Sequence, residues 1–277
     1  MPVPGYDDLR ESISNKFKRD NNLNYDKDQI VVSTGAKQSI ANVVLTLINP
    51  GDEVIIPAPF WVSYIEIVKV AGGIPILVNA GIDKDFKIDG KDLENAITAK
   101  TKLMIFSTPC NPTGSVYNRS ELRDLADVIK KHPSLIVLCD EIYEHINFES
   151  KHESLAQFND VYGQVVTVNG VSKAWAMTGW RLGYIGAPKA IANACSKVQG
   201  QFTSGTSSIT QKAAIAAMNA DPQILSDMIS AFKSRRGLVL DALAEMPGIK
   251  TNHPEGAFYV FPDCSAYFGK TNGSAMI

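Results

Sequence analysis

Lys173 and Arg181 are the only charges in the run Ser172-Lys173-Ala174-Trp175-Ala176-Met177-Thr178-Gly179-Trp180-Arg181-Leu182-Gly183-Tyr184. The run follows an apolar stretch, so the amine comes directly after a strand and not on a solvated charged face. A primary amine there can form an imine with an aldehyde. A guanidinium a short distance on can grip a phosphate through two parallel hydrogen bonds. Together they suggest pyridoxal phosphate.

Asp140 is the second clue, because it ends the apolar run Leu135-Ile136-Val137-Leu138-Cys139. A partly buried carboxylate needs a cationic or hydrogen-bonding partner. A protonated pyridine nitrogen would serve, and the carboxylate would in turn keep the ring an effective electron sink. The plainer reading is a helix N-cap at Asp140 followed by Glu141. Tyr143 is placed to donate to a phenolate oxygen on the same ring, and the Asn111 amide could do the same. Asn111 lies in Pro109-Cys110-Asn111-Pro112-Thr113-Gly114, a string that turn chemistry alone would also explain, and Asn111-Pro112 is a candidate cis peptide. Trp61, after Pro57-Ala58-Pro59-Phe60, could cover a planar ring or simply pack into the core. Ser33-Thr34-Gly35-Ala36-Lys37 opens a helix whose free N–H groups at Gly35-Ala36 favour an anion, with an ordinary N-cap as the alternative. It lacks the spacing of a Walker loop.

The elements that must position these residues follow an α/β rhythm. Short β-branched runs at 53–56, 74–78, 103–107, 135–139, 165–168 and 183–185 predict strands. Between them 36–47, 61–71, 90–97, 120–131 and 188–199 predict helices, and 6–20 predicts another at the start. That alternation implies a three-layer α/β/α fold around a mostly parallel sheet. The noted polar groups then fall at the carboxyl ends of strands, where open α/β sheets bind ligands. From Ser207 the pattern turns helical through 211–219 and 221–245, and 249–251 and 257–261 read as short strands opening a small α+β domain.

With 277 residues, 45% hydrophobic and 20% charged, the chain suits one large globular domain plus part of another. A formal net charge of −2 favours neither nucleic acid nor an acidic membrane as a partner. The sequence has no apolar stretch long enough to span a bilayer and no signal peptide at Met1, so a cytoplasmic protein is expected. Cys110, Cys139, Cys195 and Cys264 read as reduced thiols. They make no metal-ligand spacing with His132, His145, His152 and His253, which read as isolated surface or capping histidines, and no metal is expected.

These residues resemble the class I aminotransferases of the fold-type-I pyridoxal-phosphate family, in particular the bacterial aspartate aminotransferase branch. The similarity is carried by Ser33-Thr34-Gly35-Ala36-Lys37-Gln38, Pro59-Phe60-Trp61-Val62-Ser63-Tyr64, Asn111-Pro112-Thr113-Gly114, Asp140-Glu141-Ile142-Tyr143-Glu144, the Ser172 to Tyr184 run and Gly256-Ala257-Phe258-Tyr259, in that order. It implies Lys173 as the catalytic residue that holds the cofactor, pyridoxal 5′-phosphate. It also implies Asp140 at the pyridine nitrogen, Asn111 and Tyr143 at the phenolate oxygen, and Trp61 on the ring. Gly35, Ala36, Ser172 and Arg181 fall around the phosphate. Lys37, with Trp61 and Asn111, faces the substrate, and Lys37 matches the position that approaches a distal carboxylate, although it could equally face solvent.

The implied reaction is ping-pong transamination between an acidic amino acid, aspartate or glutamate, and a 2-keto acid, by a homodimer touching through 201–208. A prephenate or aromatic substrate is compatible with the same residues. The resemblance divides the chain into a large cofactor-binding domain, 1–220, and an interdomain helix with the beginning of a small domain, 221–277. It implies incompleteness at both ends, with the α-carboxylate arginine and an N-terminal tyrosine outside this sequence. β-Lyase chemistry on the same scaffold and a cofactor-binding remnant without turnover are the competing readings.

Overall fold

The computed structural model describes residues 1–269, 271–272 and 275–276. A seven-stranded sheet forms from β1 (Ile30–Ser33), β2 (Glu53–Ala58), β3 (Ile74–Asn79), β4 (Thr101–Ser107), β5 (Ile136–Asp140), β6 (Val165–Gly170) and β7 (Gly183–Gly186). Their order across the sheet is β1-β7-β6-β5-β4-β2-β3. β2 through β6 pair in parallel, whereas β7 runs antiparallel to both β6 and β1. The predicted α/β/α fold is therefore present, with one reversed strand inside it.

Alternation along the strands sends side chains to two opposite layers. On one face Val32, Met104, Val137 and Val165 pack with Leu9, Ile13 and Phe17 of α1 (Asp7–Asn21). The same cluster takes in Leu93 of α4 (Gly90–Ala96), Leu122, Leu125 and Ile129 of α5 (Arg119–Ile129), and Met218 of α7 (Ser208–Asn219). On the other face Val31, Ile56, Leu103, Leu138 and Val166 pack with Ile40 and Val44 of α2 (Ala36–Leu47). Tyr64 and Val68 of α3 (Ser63–Val70) and Cys195 of α6 (Lys189–Phe202) complete that cluster. Central strands covered on both sides read as continuous apolar runs, which is why their sequences show no polar alternation.

Two sequence expectations need correction. β1 has no counterpart among the predicted strands: its four residues are all buried, too few to show a pattern, and pairing with β7 is what makes them a strand. At 249–251 and 257–261 no strands form. The only pairing there among the described residues is the isolated bridges Lys250 with Asp263 and Asn147 with Gly256. Pro254, Gly256 and the positive φ of Ala257 interrupt any longer ladder. α8 (Ser226–Ala244) forms within the predicted 221–245 span after a short 3-10 turn at Pro222–Leu225. No helix among the described residues is long and apolar enough to cross a membrane.

Candidate active site

The reversal of β7 brings Lys173 and Arg181 together. Gly170 at the end of β6 pairs with Gly183 at the start of β7. Residues 171–182 therefore leave and re-enter the sheet at one edge, above the carboxyl ends of the parallel strands. Thr178 Oγ1 donates to the Ser172 carbonyl at 2.8 Å and Arg181 Nη1 to the Thr178 carbonyl at 2.9 Å, which folds the excursion back on itself. Arg181 adopts a left-handed conformation, φ 55°. Among the described residues no carboxylate lies within ion-pair distance of its guanidinium.

The first turn of α2 lies against this excursion. Gly35, at φ 89°, is its N-cap. A Cβ there would collide with Arg181 Nη2, and a Cβ on Gly183 would collide with the Ala36 nitrogen. Two glycines thus let a guanidinium and a helix N-terminus share one corner, and N–H groups in a first helical turn have no acceptor within their own helix. By charge and by dipole that corner suits an anion.

Asp140 ends β5 opposite Ser107 of β4 and Val168 of β6. It is 5% exposed. Tyr64 donates its hydroxyl to Asp140 Oδ2 at 2.8 Å, and the Ile142 N–H reaches Oδ1 at 3.3 Å. Burial raises the carboxyl from its ordinary value to about 6, against the pull of the Tyr64 and Ile142 hydrogen bonds. No cationic side chain among the described residues comes within ion-pair distance of it.

Lys173 lies over the rings of Tyr143 and Phe258, 5.5 and 5.3 Å from their centroids. Burial pulls its ammonium down, opposed by Asp140 and assisted by Arg181. A lysine so placed holds more of the neutral amine that attacks a carbonyl. Asn111, whose bond to Pro112 is cis as expected, and Tyr143 face each other across Tyr259: the hydroxyls of Tyr143 and Tyr259 are 2.7 Å apart, and Asn111 Nδ2 is 3.4 Å from Tyr259 Oη. Burial raises the Tyr143 phenol, keeping it protonated.

Asp140, Tyr64, Lys173, Asn111, Tyr143, Tyr259 and Arg181 line one cleft of about 220 Å³. Of the residues singled out from sequence, Ala36, Lys37, Trp61, Asn111, Asp140, Tyr143, Ser172, Lys173 and Arg181 form its wall, and Gly35 lies behind Arg181. Trp61 meets Tyr64 edge to face at 5.6 Å and carries Lys37 Nζ 4.8 Å from its ring centroid. It packs on the core and also faces the cleft. Lys37 is exposed yet lines the wall. Sequence reasoning missed Tyr64, Ser107, Ile142, Thr178 and Tyr259, which line it too. Tyr64 and Tyr259 were visible only as members of matching strings, with nothing local to mark a role.

Two of the four histidines depart from expectation. His152 is buried, with Nε2 3.0 Å from Glu141 Oε2, and His145 Nε2 lies 3.3 and 3.4 Å from Glu144 and Asp20. These groups converge closely enough to hold an ion, but the Lys16 ammonium, paired with Glu144, already supplies a cation there. Tyr64, like Tyr143, has its phenol raised by burial. Cys110, Cys139, Cys195 and Cys264 are free thiols.

The family described as aminotransferase class I and II matches residues 1–276. A bifunctional aspartate aminotransferase and glutamate/aspartate-prephenate aminotransferase of Petunia hybrida is 48% identical over 97% of this chain and 57% of its own length. A probable aspartate/prephenate aminotransferase of Rhizobium leguminosarum is 45% identical over 100% of this chain and 70% of its own. The solved aspartate aminotransferase of Rhizobium meliloti superposes with a TM-score of 0.95 at 40% identity, over 97% of this chain and 68% of that one. The chain thus spans little more than half of the plant relative and about two thirds of the bacterial ones.

Proposed function

The chain belongs to the class I and II aminotransferases, and from that premise we propose that it binds pyridoxal 5′-phosphate and exchanges amino groups between aspartate or glutamate and a 2-keto acid by a ping-pong mechanism. One observation carries the reading. The buried Asp140 carboxylate has no cation at ion-pair distance among the described residues, in a cleft that also holds a Lys173 amine eased toward neutrality and the Arg181 corner. Donor and acceptor chemistry fits the cofactor group by group: carboxylate to ring nitrogen, amide and phenol to the phenolic oxygen, amine to the aldehyde, guanidinium and helix N–H groups to the phosphate.

Bound there, the cofactor supplies a carbonyl that captures amines and a protonated ring that accepts the electron pair of a broken Cα–H bond. Asp140 holds the proton on the ring nitrogen, and Tyr64 fixes the carboxylate that does so. Asn111 and Tyr143 orient the phenolic oxygen. Ser172, Arg181 and the Gly35-Ala36 backbone hold the phosphate. Trp61 covers the ring and helps exclude water. Lys173 Nζ, once free, is the base that takes the substrate's Cα proton and returns it on the other side of the exchange. Lys37, exposed beside Trp61, is placed for the distal carboxylate of an acidic substrate, in keeping with the aspartate and prephenate named for the relatives.

A homodimer belongs to this reading: Phe202, at 71% exposed in the 201–208 stretch, and Val62, at 74% exposed next to Trp61, are large apolar side chains left in solvent. The free thiols suit a reducing, cytoplasmic setting. The cofactor assignment is tested by the visible absorption of the protein loaded with pyridoxal 5′-phosphate. Lys173→Ala should abolish the lysine-dependent band. The reaction is tested with aspartate and 2-oxoglutarate, which should give oxaloacetate and glutamate in equal amounts; no glutamate formed from 2-oxoglutarate would overturn the transamination, and ammonia and pyruvate released from an amino acid with a β-leaving group, such as cysteine, would favour the β-lyase reading instead.

A further inference from the structure

Tyr259 stands between the two side chains that hold the phenolic oxygen in the reading above, and the backbone fixes it there. The Gly256 N–H donates to the Gly114 carbonyl at 2.9 Å, and the Ala257 N–H to the Ile146 carbonyl at 2.8 Å. One strap is thereby tied to the loop that carries Asn111 and to the segment that carries Tyr143. The approach is so close that a Cβ on Gly256 would lie 2.6 Å from Pro109 Cβ. Ala257 is buried with Ile142, Tyr143 and Ile146, so the strap belongs to the core under the site.

Counting protons gives the three polar groups a direction. An amide nitrogen only donates, and a phenol has one proton to give and lone pairs to receive. Asn111 Nδ2 therefore donates to Tyr259 Oη. We propose that Tyr259 in turn donates to Tyr143 across their 2.7 Å contact, leaving the Tyr143 proton free to point into the cleft. Tyr259 is then a positioning residue that acts through Tyr143: each donor in the chain polarises the next, and the last bond, from Tyr143 to the phenolic oxygen, is strengthened. A bond donated to that oxygen favours its deprotonated form and lowers the pH at which the bound cofactor's absorption titrates. The opposite orientation, with Tyr143 donating to Tyr259, would make Tyr259 the direct contact.

The inference rests on the cofactor reading, and one titration separates the two. The protein loaded with pyridoxal 5′-phosphate is titrated by visible absorption as wild type, Tyr259→Phe, Tyr143→Phe and the double variant. Thermal unfolding is followed alongside to show that each remains folded. Tyr259→Phe should raise the midpoint by about half a pH unit, as expected for weakening rather than losing one hydrogen bond. Tyr143→Phe should raise it further, and the double variant should match Tyr143→Phe alone. A midpoint unchanged or lowered in Tyr259→Phe, or additive shifts in the double variant, overturns the role given to Tyr259. Absence of any lysine-dependent band in the wild type overturns the cofactor reading instead.

Discussion

Asp140 burdens the ligand-free protein in a way that depends on pH. Burial raises its carboxyl from 3.8 to about 6. A group raised in the folded state contributes stability that is present below its unfolded value and lost as pH rises through its folded one. At pH 8 the ligand-free fold therefore carries a cost of about 3 kcal/mol for ionising this group in place. Asp140→Asn, which keeps an acceptor for Tyr64, should be more stable than wild type at pH 8 in urea unfolding without cofactor, the gap closing toward pH 4. A gap that does not depend on pH would show that ionisation of Asp140 is not its source. On the proposed cofactor reading the ranking should reverse with pyridoxal 5′-phosphate present, because the ring nitrogen would be the cation that offsets the cost. Such a residue is legible in sequence, since a carboxylate closing a wholly apolar strand has few explanations. Tyr64, which holds it from α3, is not legible: a tyrosine inside an apolar helix face looks like core, and only the fold reveals that its hydroxyl points at Asp140.

The elements bring distant groups together through features of different visibility. The parallel strands were readable because apolar runs between amphipathic stretches have one packing solution, helices on both faces. The reversal of β7 was not, because strand direction depends on the connection. Residues 171–182 contain only a short 3-10 turn, at Thr178–Trp180, and no crossover helix, so the chain returns beside β6 from the same edge. β1 is then the partner that β7 needs on its other side, and the helix N-terminus of α2 follows it into the site. Gly183 is the joint of this arrangement. Gly183→Ala must push β7 away from the Ala36 backbone. It should weaken cofactor phosphate binding at least about tenfold while costing about 1–3 kcal/mol of stability, as for overpacking elsewhere. Equilibrium dialysis against pyridoxal 5′-phosphate and urea unfolding read the two effects. Unchanged affinity with lowered stability would remove the α2 N-terminus from the phosphate site.

On the scale of the whole molecule, the first helix is anchored to the active-site segment by charge. Lys16 of α1 pairs with Glu144 and donates to Asn21 Oδ1 at 2.8 Å, while Asn21 Nδ2 donates to Glu144 Oε2 at 2.6 Å. Ser154 donates to Glu141 Oε1 at 2.6 Å beside His152, so both glutamates flanking Asp140 and Tyr143 are held from outside the sheet. No sequence pattern links residues so far apart in the chain, which is why the histidines here read as surface. Burial pushes Glu144 upward, but the Lys16 charge, aided by His145 and His152, brings its carboxyl down to about 2. A depressed carboxyl contributes stability above its unfolded value and loses it as pH falls through the folded one. Lys16→Met removes the largest charge holding Glu144 ionised and leaves the buried carboxylate only the Asn21 hydrogen bond and the weaker help of His145 and His152, a loss of about 3 kcal/mol at neutral pH. The deficit should shrink toward pH 4, where Glu144 in the variant takes up a proton and no longer needs a cation. Lys16→Met combined with Glu144→Gln should recover most of the loss at pH 7, since the carboxylate that demanded the lysine is gone. Urea unfolding of the three variants against pH distinguishes this from simple packing damage, which would leave the deficit flat with pH and unrepaired by the second change.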